Sequence, residues 1–129
     1  MDLETAGSIS KKDAAREDIE DAFADDDARG EFIILQTDDG EFLRFLQAAG
    51  EGDGPYVLEY CDEANGAHRQ VAGELTKEQT RTAFLDYFDG KPIWCDRFRW
   101  TDLKRAGCLG TILLGATVFL SVTLAWIIV

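Results

Sequence analysis

Cys61 and His68 are the thiol and the imidazole in this chain whose positions would let them meet. A Cys-His pair is the minimal form of a nucleophile with its base, and Glu59 or Glu63 would be the third group that orients the ring. Such a pair needs a cleft, an oxyanion site and electropositive surroundings; an open sheet face supplies none of these, and neighbouring acids raise a thiol pKa. Adding Cys95 gives three zinc-type ligands, but Cys61, His68 and Cys95 match no known ligand spacing and lack a fourth member. The adjacent acids Asp38 and Asp39, and Asp62 and Glu63, sit where turns and helix caps are expected. General acid-base work would need one such carboxyl in an apolar pocket. The run Asp25, Asp26, Asp27 has neither the alternating ligands nor the glycine of an EF-hand loop. The glycines of GEGDGP at 50–55 suggest a phosphate cradle, yet Glu51 and Asp53 would repel a phosphate and no Lys or Ser/Thr completes the motif. No cofactor, no metal and no catalytic set is therefore expected.

The elements that would position these residues can be read from spacing. Ser10 would cap a helix running to about Ala28, with Ala15, Ile19, Ala22 and Phe23 as a narrow apolar stripe. Two large side chains are little to dock with, so residues 1–30 read as a loosely held acidic arm. Phe32 to Leu35 is a short apolar run expected to be a strand buried on both faces. Asp38 and Glu41 have capping-box spacing, and Phe42, Leu43, Phe45, Leu46 and Ala49 would follow as a helix stopping at Gly50. Tyr56 to Cys61 alternates, and Asn65-Gly66 favours a two-residue hairpin turn. That turn would set Cys61 opposite Gln70, Tyr60 opposite Val71 and Glu63 opposite His68, with Tyr56, Leu58, Tyr60 and Val71 inward and Glu59, Cys61, His68 and Gln70 outward. Thr76 and Gln79 form a second capping box before Thr80, Ala83, Phe84, Tyr87 and Phe88, and Asp89-Gly90 ends that helix. Trp94, Phe98 and Trp100 would close the core. The expected fold is α+β: a small β-α-β-β-α unit at 31–102, preceded by the acidic arm at 1–30 and followed by a basic juxtamembrane turn and a transmembrane helix at 103–129.

The C-terminal signal is the strongest in the chain. Ala106 to Val129 contains no charged side chain. As a helix it would measure about 36 Å, enough to cross a hydrocarbon core of about 30 Å. Arg97, Arg99, Lys104 and Arg105 lie just before it, which by the positive-inside rule places the preceding domain in the cytoplasm. The N-terminal sequence has no basic and apolar leader pattern. Trp126 would anchor at the far headgroups. Gly110, Thr117, Ser121 and Ala125 fall along one helix face that would admit a second copy, giving a homodimer within the bilayer.

Length and charge limit the functions left open. The chain has 129 residues and a net charge of −12, with 46% hydrophobic residues. Residues 1–90 carry 23 acids and 8 bases, whereas 91–105 carry five bases and two acids. Such a balance excludes nucleic acid as a partner, since phosphate binding needs clustered Lys and Arg. The bilayer and a protein with a basic surface are the expected partners, with Asp25, Asp26 and Asp27 as contacts; a cytoplasm high in salt would also account for the acidity. The hairpin edge could instead accept a strand. Three readings follow. The first is a single-pass, tail-anchored membrane protein whose cytosolic domain is a non-catalytic docking or regulatory module. An immunity-like inhibitor of a basic toxin or effector is the alternative, and a membrane-bound thiol enzyme is the third.

Overall fold

The computed structural model describes residues 1–38, 40–91 and 93–103. They form a small mixed domain around a seven-stranded antiparallel sheet with a few helices. In chain order the strands are β1 (Asp2–Thr5), β2 (Ser10–Lys11), β3 (Phe32–Asp38), β4 (Leu43–Ala49), β5 (Val57–Asp62), β6 (Ala67–Val71) and β7 (Trp100–Asp102). The helices are α1 (Arg16–Ala24), α2 (Asp26–Arg29), α3 (Lys77–Phe88) and α4 (Ile93–Asp96). Across the sheet the order is β2-β1-β3-β4-β5-β6-β7. Lys104, Arg105 and the apolar run 106–129, with Gly110, Thr117, Ser121, Ala125 and Trp126, lie outside the described residues. Among the described residues no helix is long and apolar enough to cross a membrane.

Strand alternation builds the core. Leu3, Ile33, Leu35, Leu46, Ala48 and Leu58 are buried and share one face through the registers Leu3↔Leu35, Leu35↔Leu46, Ile33↔Ala48 and Ala48↔Leu58. Ile19, Ala22 and Phe23 of α1 and Ala83, Phe84 and Leu85 of α3 pack onto that face. Phe23 and Phe84 meet edge-on at 5.5 Å. The aromatic closing segment is present: Trp94 is buried, with its ring 5.1 Å from Tyr60, 5.4 Å from Tyr87 and 5.5 Å from Trp100.

Helix α3 follows its sequence signals. Thr76 Oγ1 accepts the Gln79 N–H at 3.1 Å, and Gln79 Oε1 accepts the Thr76 N–H at 2.9 Å. Five expectations are corrected. Leu43–Ala49 is strand β4, where a helix over 42–49 is expected. Phe42, Phe45, Leu46 and Ala49 have helical spacing, but Leu46 and Ala48 also have strand alternation, and seven ladder pairs to β3 decide the matter. In the connection Gly40 supplies a φ of +92°, which a turn between the two strands requires. Strand β3 is buried on one face only, because Phe32 and Ile34 project to the other and are half-buried.

The N-terminal segment is built into the sheet instead of forming a loosely held arm. β1 pairs with β3 along its whole length, Leu3 is buried, and α1 begins at Arg16 and not at Ser10. The Asp18 carboxylate accepts the Ala15 N–H at 2.8 Å and so starts α1. Finally, the β5–β6 register is shifted by two residues. Glu63–Asn65 form a 3-10 turn closed by Gly66 at φ +66°, which sets Cys61 opposite His68 and Glu59 opposite Gln70. A shift of two leaves every side chain on its expected face. The hairpin edge is not available to an incoming strand, because β7 pairs with β6.

Candidate functional site

The two ends of the sheet differ in chemistry. At one end α2 gathers the loops: the Gly7 N–H bonds Arg29 O, the Gly50 N–H bonds Glu31 O, and Tyr56 and Leu75 exchange backbone hydrogen bonds. At the other end lie residues 40–42 and 63–66. There the chain leaves the sheet, with the Leu103 N–H donated to His68 O at 2.8 Å. The seven residues of β3 separate the ends by about 20 Å.

Arg29 organises the α2 end, and its side chain is wholly buried. Its guanidinium donates to Ala22 O at 2.9 Å, Phe23 O at 3.2 Å, Gly52 O at 3.0 Å, Tyr56 Oη at 2.7 Å and Asp26 Oδ1 at 2.6 Å. The rings of Phe23 and Tyr56 flank it at 5.4 and 5.7 Å. The orphan carbonyls at the C-terminus of α1 and the loop carbonyl of Gly52 are thereby satisfied by one cation. Burial pushes the Tyr56 phenol up, and its hydroxyl donates to Gly52 O at 2.7 Å.

The three sequence-nominated acids have different tasks. Asp25 caps α2, its carboxylate accepting the Ala28 N–H at 3.1 Å. Asp26 holds Arg29 and lies 3.4 Å from Lys77 Nζ. Its hydrogen bond from Arg29 holds the carboxyl below the usual aspartate value. Lys77 also pairs with Asp53 at 3.3 Å, and that hydrogen bond holds its ammonium above the usual lysine value. Asp27 is exposed and makes no ion pair among the described residues. Glu31, Glu51 and Glu74 are at the same end, exposed and without an ion pair among the described residues. Sequence reading missed these three because they lie 4 to 47 residues beyond Asp27 and only the fold brings them together.

The basic residues before the apolar run also divide. Arg97 is tied down, its Nη2 standing 2.5 Å from Oδ2 of the buried Asp86. Arg99 is exposed, and its backbone carbonyl accepts the Ala72 N–H. Opposite the helices, Glu59, Cys61 and His68 do share the open face. His68 Nε2 is hydrogen-bonded to Glu59 Oε2, the Phe45 ring meets the imidazole edge-on at 6.4 Å, and Cys61 is buried. A cavity of about 250 Å³ is lined by Glu78, Gln79, Thr82, Arg97 and Phe98, and it shares no residue with this trio. A buried thiol reacts slowly. Iodoacetamide at neutral pH is therefore expected to modify Cys61 only at the rate of global unfolding, followed by peptide mapping; a native rate matching that of a free thiol would restore the thiol-enzyme reading.

Beside the chain exit, Asp62 is buried on the helix-bearing face. Burial alone would raise its pKa, but hydrogen bonds from Asn65 at 2.7 Å, Arg44 at 3.2 Å and Tyr60 at 3.2 Å outweigh that and hold it below the usual value. A lowered carboxylate pKa contributes stability that is complete above the unfolded value near 3.9 and is lost as pH falls through the folded value. Asp62→Asn should therefore lose less stability than the parent between pH 5 and pH 2 in thermal melts. Parallel pH profiles for the two proteins would contradict the assignment.

No known protein family, curated protein or solved structure matches the chain.

Proposed function

We propose that this chain is a membrane-tethered docking module without catalysis of its own. Residues 106–129 cross the bilayer, the domain stands on the cytoplasmic side, and its acidic end engages a protein with a basic surface. The observation that carries this reading is the polarity of the domain. The chain leaves the sheet toward the apolar run at one end, and the acids Asp27, Glu31, Glu51 and Glu74, which make no ion pair among the described residues, stand at the other. A tether and a binding surface on opposite ends let a partner approach from solution without meeting the headgroups. Long-range attraction between an acidic end and a basic surface raises the association rate more than it lowers the dissociation rate, and salt screens it.

The decisive substitutions are those that remove charge without touching the scaffold. Asp25 and Asp26 are unsuitable because they cap α2 and hold Arg29. Asp27→Asn combined with Glu51→Gln leaves the packing intact. With a deca-lysine peptide as probe, the pair should lower the association rate roughly threefold at low ionic strength and flatten its dependence on salt. Unchanged rates and an unchanged salt slope would refute the acidic end as the contact surface.

A further inference from the structure

We infer that the sheet end formed by residues 40–42 and 63–66 rests on the lipid headgroups, with the Phe42 ring as its contact. This rests on the reading of 106–129 as a bilayer span. Leu103 is fixed to that end by its hydrogen bond to His68 O. Ala106, the first residue of the apolar run, follows three positions later, and an extended chain covers at most about 3.6 Å per residue, so the run begins within roughly 11 Å of the sheet. A tether this short leaves the domain no room to turn its other end to the membrane.

The side chains at this end fit a lipid surface. Phe42 is 38% exposed, the most open of the large apolar side chains among the described residues. Its strand neighbour β4 lies three strands from β7, about 14 Å across the sheet, so the ring and the chain exit can reach one plane together. An aromatic side chain at headgroup level removes apolar area from water without leaving the interface. Several acids at this end are engaged within the fold. Asp62 holds Arg44, the Glu63 carboxylate accepts the Leu43 N–H at 2.8 Å, and Asp102 pairs with Arg69 at 3.3 Å.

The test uses the full chain in phosphatidylcholine vesicles in which some lipids carry a nitroxide high on the acyl chain. An environment-sensitive fluorescent amino acid replaces Phe42 in one sample and Glu51 in another. The probe at 42 is expected to lose more than half of its intensity to the nitroxide and the probe at 51 almost none. Protease treatment of the same vesicles reports separately on the span. If 106–129 is recovered as a protected fragment while both probes stay bright, the lipid-facing assignment is wrong and the span reading stands. If no protected fragment is recovered, the span reading fails and this inference fails with it.

Discussion

Arg29→Ala will destabilise the domain by about 3–5 kcal/mol, because at least two buried acceptors lose their donor. Five acceptors converge on this guanidinium from α1, α2, the 50–55 loop and Tyr56. The substitution leaves the carbonyls of Ala22 and Phe23 without their donor in a dry site, and each unmet buried group costs about 1–3 kcal/mol. A domain of this size has about 5–15 kcal/mol in all, so the variant should melt roughly 12 °C or more below the parent. Arg29→Lys should recover little, because a single ammonium cannot span acceptors arranged around a planar fork. Asp26→Asn should cost less than Arg29→Ala, since the Asp26 side chain is half exposed and Arg29 keeps its other acceptors. Urea titrations at neutral pH rank the three; an Arg29→Ala protein as stable as the parent would mean that the network contributes nothing net.

The second large effect concerns the apolar run. Twelve of its residues are Leu, Ile, Val or Phe, together worth about −4 to −7 kcal/mol of insertion free energy, while one lysine at the centre costs about 2.5–3.5 kcal/mol. A single lysine is therefore insufficient to expel the segment. Val118→Lys with Val122→Lys adds two charges four positions apart and brings the balance to about zero or beyond. The full chain made in the presence of vesicles should float with them, the single variant should still float, and the double variant should remain largely in the dense fraction. The thermal midpoint of the domain should not change, because neither position lies within 1–103. A double variant that floats like the parent would contradict insertion.

Legibility in the sequence followed the locality of the signal. Helix α3 was readable because its capping box and its apolar stripe both lie within a dozen residues. Strand β4 was not, since Phe42, Phe45, Leu46 and Ala49 satisfy the helical period while Leu46 and Ala48 satisfy the strand period, and only pairing with β3 and β5 distinguishes them. β1 escaped notice because Asp2–Thr5 shows a single large apolar residue, Leu3, whose burial depends on a partner 32 positions away. Within the acidic end, the run at 25–27 is visible but its division of labour is not: cap, counter-ion and free acid look identical as letters. Arg29 is the sharpest case. Next to three aspartates it reads as surface charge, yet Phe23, Tyr56 and the 50–55 loop close over it. The Cys61, His68 and Glu59 grouping was legible as a shared face because a two-residue register shift conserves faces, although it changes which residues stand opposite.

The claim on which the rest depends is that hydrocarbon is the solvent of residues 106–129. Washing vesicles that carry the full chain with alkaline carbonate tests it directly, with a chain ending at Leu103 as the comparison. The account predicts that the full chain stays in the pellet and the shorter one is released. Release of the full chain into the wash, as a monomer that needs no detergent, would contradict it.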